Sequence, residues 1–256
     1  MNNLQSGFFE LPNFNLKVIK SSENNIDSID SVLVLEKLNK IFSHIDFDVL
    51  LIIIHIFLKC KNDGFIYTNT DEILSYRGIK KIKQISSKAS GYKNNVREII
   101  RKSLLSLKKT NIISVTEYKK FNFIICFNNF YFNDRRKIKI PSKILNYNPH
   151  KKPWHKDIGY FLTFYKYKKP ETSIIQIKKI LKCIKKDYSF LAPNEIRIRF
   201  EDVMDTLAQE NVIANWHYKN IDEDFLSCKN WLYYWQMLSI KIDFDILAKP
   251  PSFLNF

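Results

Sequence analysis

The sequence predicts an α+β chain, mainly helical, built from two tandem copies of one design. Leu107, Asn111, Ile112, Ile113, Tyr118 and Lys119 recur one hundred residues later as Leu207, Asn211, Val212, Ile213, Tyr218 and Lys219. In both copies an amphipathic helical pattern runs to the leucine, passes a short polar turn at asparagine, and re-emerges as a β-prone run ending in Tyr-Lys. The basic charge, moreover, falls in two blocks. A helix feeding a two-stranded ribbon is the signature of a helix-turn-helix with a β-wing. The expectation is therefore two tandem winged-helix domains, 44–145 and 146–256, after an N-terminal arm or dimerisation segment, 1–43.

The chain has 256 residues, 45% of them hydrophobic, with 20 Phe and 13 Tyr, which is enough to fill two cores and excludes a disordered chain. Its net charge of +15 favours a polyanionic partner without naming one. Residues 77–109 carry 11 Lys/Arg against 1 Asp/Glu, and 135–186 carry 16 against 2, whereas 187–256 carry 6 against 11. Codon bias toward lysine raises a total; it does not segregate charge, so the blocks read as binding surface. Cys60, Cys126, Cys183 and Cys228 form no C-x-x-C and no zinc spacing with histidine, which argues against a metal knuckle or a redox motif. Met1 to Leu11 lacks a signal-peptide pattern, and the apolar run Val49 to Leu58 is too short to span a bilayer. A cytoplasmic protein, associated with nucleoid or plasmid and not with membrane, is expected.

Taken in order, Val32 to Phe42 shows a helical patch, and Asp46 and Asp48 open an apolar helix that ends at Asn62-Asp63-Gly64. Phe65 to Tyr67 is β-prone. Thr68 or Thr70 is suited to cap a short helix beginning Asp71-Glu72 and closing at Tyr76-Arg77-Gly78. Ile79 to Gly91 reads as a lysine-studded loop. From Asn94 or Asn95 a helix places Val96, Ile99, Ile100, Leu104 and Leu107 on one stripe and Arg97, Arg101, Lys102 and Lys108 opposite, the disposition of a recognition helix. Ile112 to Lys119 and Phe121 to Phe132 form the ribbon, left through Asp134-Arg135-Arg136-Lys137. Pro141, Pro149 and Pro153 punctuate a connector.

The second copy opens with an aromatic helix, Trp154 to Tyr167, and a lysine-rich helix, Ser173 to Lys186. Pro193 then starts a helix burying Ile196, Phe200, Val203, Met204 and Leu207, with Arg197 and Arg199 near its N-terminus. Val212 to Lys219 is a strand, Asp222-Glu223-Asp224 a loop, Trp231 to Met237 a short aromatic helix or turn, and Leu238 to Phe244 the returning strand, stopped by Pro250-Pro251.

The run Asp71 to Lys81, followed by Gly91-Tyr92 and a basic helix, resembles the first winged-helix domain of plasmid-type replication initiators (Rep proteins). Leu207 to Tyr218, with Trp231, Trp235, a β run and Pro250-Pro251, is similar to their second domain. The resemblance spans residues 65 to 251, and the N-terminal segment does not match it. It implies a non-enzymatic initiator that binds repeated origin sites, promotes melting of an AT-rich stretch and recruits host replication proteins.

Catalytic patterns are weak by comparison. His44, His55, His150, His155 and His217 contain no His-hydrophobic-His pair, and His150 and His155 read as solvated linker side chains. There is no P-loop, no G-x-S-x-G, and only 5 glycines. No enzyme, metal or cofactor is expected. The candidates for reading bases are Asn94, Arg97, Arg101, Arg197 and Arg199, because a guanidinium pairs bidentately with guanine and an amide with adenine. Lys80, Lys81, Lys83, Lys88, Tyr92, Lys93, Lys119, Lys120, Arg135 and Arg136 are candidates for the DNA backbone. Trp216, Trp231 and Trp235 read as wedges in the second core sooner than as base-stacking platforms. The leading partner is double-stranded DNA, with host replication proteins and a second copy of the chain as further partners. An RNA-binding or scaffold subunit of a larger nucleoprotein assembly, and a transcription regulator, are the alternatives.

Overall fold

Both copies of the repeat turn on a left-handed asparagine, Asn111 at φ 61° and Asn211 at φ 58°. A computed structural model of the chain describes residues 8–17, 28–29, 31–60, 64–79, 82–83, 90–128, 130–168, 173–219 and 229–244. It divides into two units, Met1–Asn146 and Tyr147–Phe256, each α+β with small antiparallel sheets.

In the first unit β1 (Phe8–Lys17), β2 (Ser28–Ile29), α1 (Ser31–Ile41) and α2 (His44–Cys60) precede β3 (Phe65–Asn69) and α3 (Thr70–Tyr76). A two-residue ladder, β4 (Ile82–Lys83) with β5 (Ser90–Gly91), leads to α4 (Asn94–Lys109). The hairpin β6 (Ile113–Lys119) and β7 (Asn122–Phe127) follows, then β8 (Phe130–Pro141) and α5 (Ser142–Asn146). The second unit comprises α6 (Pro153–Lys168), β9 (Ile174–Gln176), α7 (Ile177–Leu181), α8 (Pro193–Gln209), β10 (Asn215–Lys219), α9 (Trp231–Met237) and β11 (Ser239–Asp243). The two orders coincide: helix, strand, helix, long helix, hairpin. In both sheets the last strand lies between the other two, β3-β7-β6 in one unit and β9-β11-β10 in the other. The second unit differs by carrying α9 between its hairpin strands.

Helix α2 is the centre of the first core. Val49 through Ile54 are all fully buried, so the helix is apolar on every side and must be surrounded. One buried charge sits within it. Asp48, wholly buried, accepts from Arg77 Nε at 3.2 Å, and Arg77 Nη2 lies 3.1 Å from the same oxygen. Arg77 is also the C-cap of α3, so this pair ties α3 to the core helix. Gly78 follows at φ 67°, where a Cβ would collide with the Asn146 side chain; the glycine is needed for both backbone and space. The Tyr-Arg-Gly run thus serves the fold, since Tyr76 packs edge-on against His55.

Several expectations are corrected. The segment 1–43 is not a separate arm: β1 pairs with β8 from Phe8↔Pro141 to Leu16↔Phe130, and Leu35 of α1 is fully buried. The second ribbon run therefore ends at Phe127, and the residues after it belong to another sheet. The β1–β8 register shifts at Pro12, which pairs with Lys137 while Asn13 pairs with Asn133, leaving Asp134, Arg135 and Arg136 without ladder partners. A proline cannot donate to the ladder, which accounts for the break. Asn69 caps α3, with its Oδ1 accepting from Glu72 N at 2.9 Å. Thr68 donates to the Glu72 carboxylate instead. In α4, Ile99 is 43% exposed and Ser103 is buried, so the core stripe is Ile100, Ser103, Leu104 and Leu107. The lysine-rich helix begins as a strand: Ile174 and Ile175 are β-branched, and only Ile175 turns inward, as pairing with β11 requires.

His155 is likewise not a solvated linker residue. It is 7% exposed on α6, edge-on to Tyr147 at 5.3 Å, with no hydrogen-bond partner at Nε2. Burial first, and Lys152 second, hold its pKa down at about 4 against the opposing pull of Asp202 and Glu210.

Two predictions follow from these buried groups. Asp48→Ala leaves the Arg77 cation unpaired and is expected to cost about 3–5 kcal/mol in urea unfolding, whereas Asp48→Leu combined with Arg77→Met is expected to be near neutral. The second concerns pH. An imidazole kept neutral in the folded state takes up a proton on unfolding, so the stability it contributes is complete above pH 6.5 and is lost as pH falls toward 4. The full loss is about 3 kcal/mol for the second unit, and His155→Gln should flatten the dependence of the urea midpoint between pH 7.5 and 5.

Candidate nucleic-acid interface

The outward side of α4 is basic. Lys93, Asn94, Asn95, Lys102, Lys108 and Lys109 are exposed along it. The helix can present them because Ile100, Leu104 and Leu107 are buried on the opposite side. Its first turn has no side-chain cap: Lys93 occupies the N-cap in extended conformation, followed by the exposed Asn94 and Asn95.

Arg97 and Arg101 point from the same helix but are engaged within the protein. Arg97 donates through Nε and Nη2 to the two oxygens of Asp71, both at 2.6 Å, a bidentate pair linking α3 to α4. The Asp71 hydrogen bond is the main reason its pKa is raised further. Nη1 reaches Asn94 Oδ1 at 3.4 Å. Arg101 donates to Glu117 Oε2 of β6 at 2.7 Å and lies 3.6 Å from Glu98. Partial burial works to raise the Glu117 pKa, but the Phe121 N–H and Arg101 outweigh it and hold the carboxyl below its usual range.

The β6–β7 turn sits beside these pairs. Phe121 adopts φ 64°, which reverses the chain in two residues, and its carbonyl accepts from Thr70 N at 3.0 Å. The hairpin end is therefore pinned against the start of α3. Lys119 and Lys120 are exposed there, and Lys120 Nζ is 5.3 Å from the Phe121 ring. A cleft of about 440 Å³ lies between Asn69, Asp71, Arg97, Lys120 and Phe121.

Other candidates do not join this surface. Tyr92 is 5% exposed, and burial is the main reason its phenol pKa is raised, so its role is core packing and not phosphate contact. Lys80, Lys81 and Lys88 lie outside the described residues. Lys83 in β4 and Arg135 and Arg136 in β8 are described only through their backbones. In the second unit Arg199 donates to Glu195 at 2.7 Å and lies over Trp154. Arg197 is 3.9 Å from Glu201, with no hydrogen bond from Nε. The exposed residues of α8 include Glu195, Asp202 and Asp205, so this helix offers an acidic face where a basic one was expected. The arginines were visible in the sequence; of the carboxylates that take them up, only Asp71 was read there, as a residue that opens a helix.

Asn95 and Lys109 were not singled out for contact, because spacing marks them only as solvated. Among the described residues no group of three or more His, Cys, Asp or Glu is close enough to hold a metal ion, and no helix is long and apolar enough to cross a membrane. Comparison with protein-family models, curated proteins and solved structures finds no match to this chain.

The Asp71–Arg97 pair is 38% and 25% exposed at its side chains. A double-mutant cycle with Asp71→Ala and Arg97→Ala should therefore give a coupling of about 1 kcal/mol, decreasing with added salt. A coupling near zero would mean that the pair does not hold α3 against α4.

Proposed function

We propose that the chain is a non-enzymatic, sequence-specific double-stranded DNA-binding protein, a plasmid-type replication initiator made of two winged-helix units, and that the first unit reads the duplex. The repeated order of helix, strand, two helices and hairpin, with the last strand central in each sheet, supports the winged-helix assignment. The observation that carries the functional reading is the exposed face of α4, with its two asparagines and its lysines, beside the Lys119-Lys120 turn.

Laid in a major groove, α4 brings Asn94 to base edges, where a carboxamide pairs with adenine N6 and N7. Lys93, Lys102, Lys119 and Lys120 meet phosphates on either side and set the register. Arg97 and Arg101 contribute in a second way. Each guanidinium is oriented by a carboxylate, so pairing with guanine requires exchanging Asp71 or Glu117 for the base. That exchange lowers affinity for wrong sequences, which leave the exchanged carboxylate without compensation. The role at an origin, the recruitment of host proteins and association with a second copy come from the Rep resemblance.

The decisive experiment measures binding of the full chain to its AT-rich upstream duplex, to random duplex and to RNA of equal length across a salt series. The cognate duplex should be preferred at all salt concentrations. Lys119→Ala with Lys120→Ala should reduce the log-log salt slope by about 1.8 on any duplex, at about 0.9 per phosphate. Asn94→Ala should cost about 1–3 kcal/mol on the cognate site and little on random DNA. Equal binding to all three nucleic acids, lost together as salt rises, would remove the sequence-specific reading.

A further inference from the structure

The second unit carries a different surface from the first. Its α8 presents carboxylates, but α7 and α9 lie together and expose a patch in which aromatic and cationic side chains alternate. On α9, Trp235 is fully buried and turns the opposite side of the helix outward, leaving Tyr233 57%, Tyr234 52% and Met237 40% exposed. These positions, i, i+1 and i+4, share one face. The two tyrosine rings stand edge-on at 5.9 Å. Lys178 Nζ of α7 lies 5.9 Å from the Tyr233 centroid, and Lys182, one turn further on, is also exposed.

Two aromatic rings exposed side by side with lysines next to them suit a partner that offers flat rings and negative charge together. Duplex DNA does not offer an accessible base face. An unpaired strand does, together with a phosphate at every step. We propose that the α7–α9 face of the second unit binds single-stranded DNA, with bases stacking on Tyr233 and Tyr234 and phosphates held by Lys178 and Lys182. The choice of DNA over RNA rests on the reading of the first unit; the single-strand chemistry does not. The division of labour follows from charge: the acidic face of α8 repels a duplex, and the patch made by α9, an insertion absent from the first unit, accepts a strand that duplex opening releases.

The test uses the full chain and two labelled probes, a 20-nucleotide oligo(dT) and a 20-base-pair duplex, followed by anisotropy. Oligo(dT) binding should weaken at least about fivefold for each of Tyr233→Ala and Tyr234→Ala and survive in the Phe variants, because stacking needs the ring and not the hydroxyl. Lys178→Ala should lower the oligo(dT) salt slope by about 0.7. Lys102→Glu on α4 separates the two sites: it should weaken duplex binding and leave oligo(dT) binding intact. The proposal is overturned if the wild-type chain does not bind oligo(dT), if the Tyr233→Ala/Tyr234→Ala double variant binds it unchanged, or if Lys102→Glu abolishes it. Thermal unfolding of the alanine variants should match wild type, as exposed positions require.

Discussion

The reversal at Asn111 and Asn211 is the constraint on which both units depend. Each long helix ends with its residue in left-handed conformation, which only glycine and asparagine enter readily, and the chain leaves as a strand running back along the helix. In the first unit Asn128 Nδ2 donates to both the Asn111 carbonyl at 3.2 Å and its side-chain oxygen at 3.1 Å, fastening the turn to the residue that follows β7. In the second, Val212 N donates to the Leu207 carbonyl at 2.8 Å. With the turn set, Leu107 and Leu207 face the core, the hairpin lies across the helix, and the side of the helix that looks outward is determined.

The same scaffold then carries opposite electrostatics. One hundred residues apart, Arg101 and Glu201 occupy equivalent places on their helices and both reach the neighbouring strand. Arg101 finds the Glu117 carboxylate; Glu201 accepts from the Tyr218 hydroxyl at 2.7 Å, which in turn accepts from Trp235 Nε1 at 2.9 Å. Burial, with Glu201 beside it, pushes the Tyr218 phenol well above its ordinary pKa, so it stays a neutral donor. The helix-to-strand contact is kept while its sign is reversed, and one helix is left with a basic outer face and the other with an acidic one. Duplication of a fold therefore does not duplicate a binding surface.

Among the described residues arginine is mostly a positioning group. Arg77 is spent on Asp48, Arg97 on Asp71, Arg101 on Glu117 and Arg199 on Glu195. A rigid guanidinium fork suits such pairs, and lysine, a flexible point charge, is what remains exposed on α4 and the β6–β7 turn. Asparagine stays exposed with it on α4, while Arg97 and Arg101 are held by carboxylates.

The repeat, the polar turns at Asn111 and Asn211, the buried stripe of α8 and the apolar character of α2 were legible along the chain, because each is a local pattern of side-chain period or turn chemistry. The strand at Ile174, the pairing of Phe8–Lys17 with Phe130–Pro141, and the exposure of Ile99 were not. Each depends on a partner supplied from elsewhere: β11 for Ile174, the opposite strand for Phe8, and the actual direction of the α4 stripe for Ile99. So it is with the candidate interface. Sequence alone determined which segments are basic and which residues have the chemistry to contact DNA. Tertiary structure decided which of those charges remain available, because a carboxylate 26 residues away at Asp71, or a buried ring at Tyr92, removes a candidate through a contact that has no signature in one dimension.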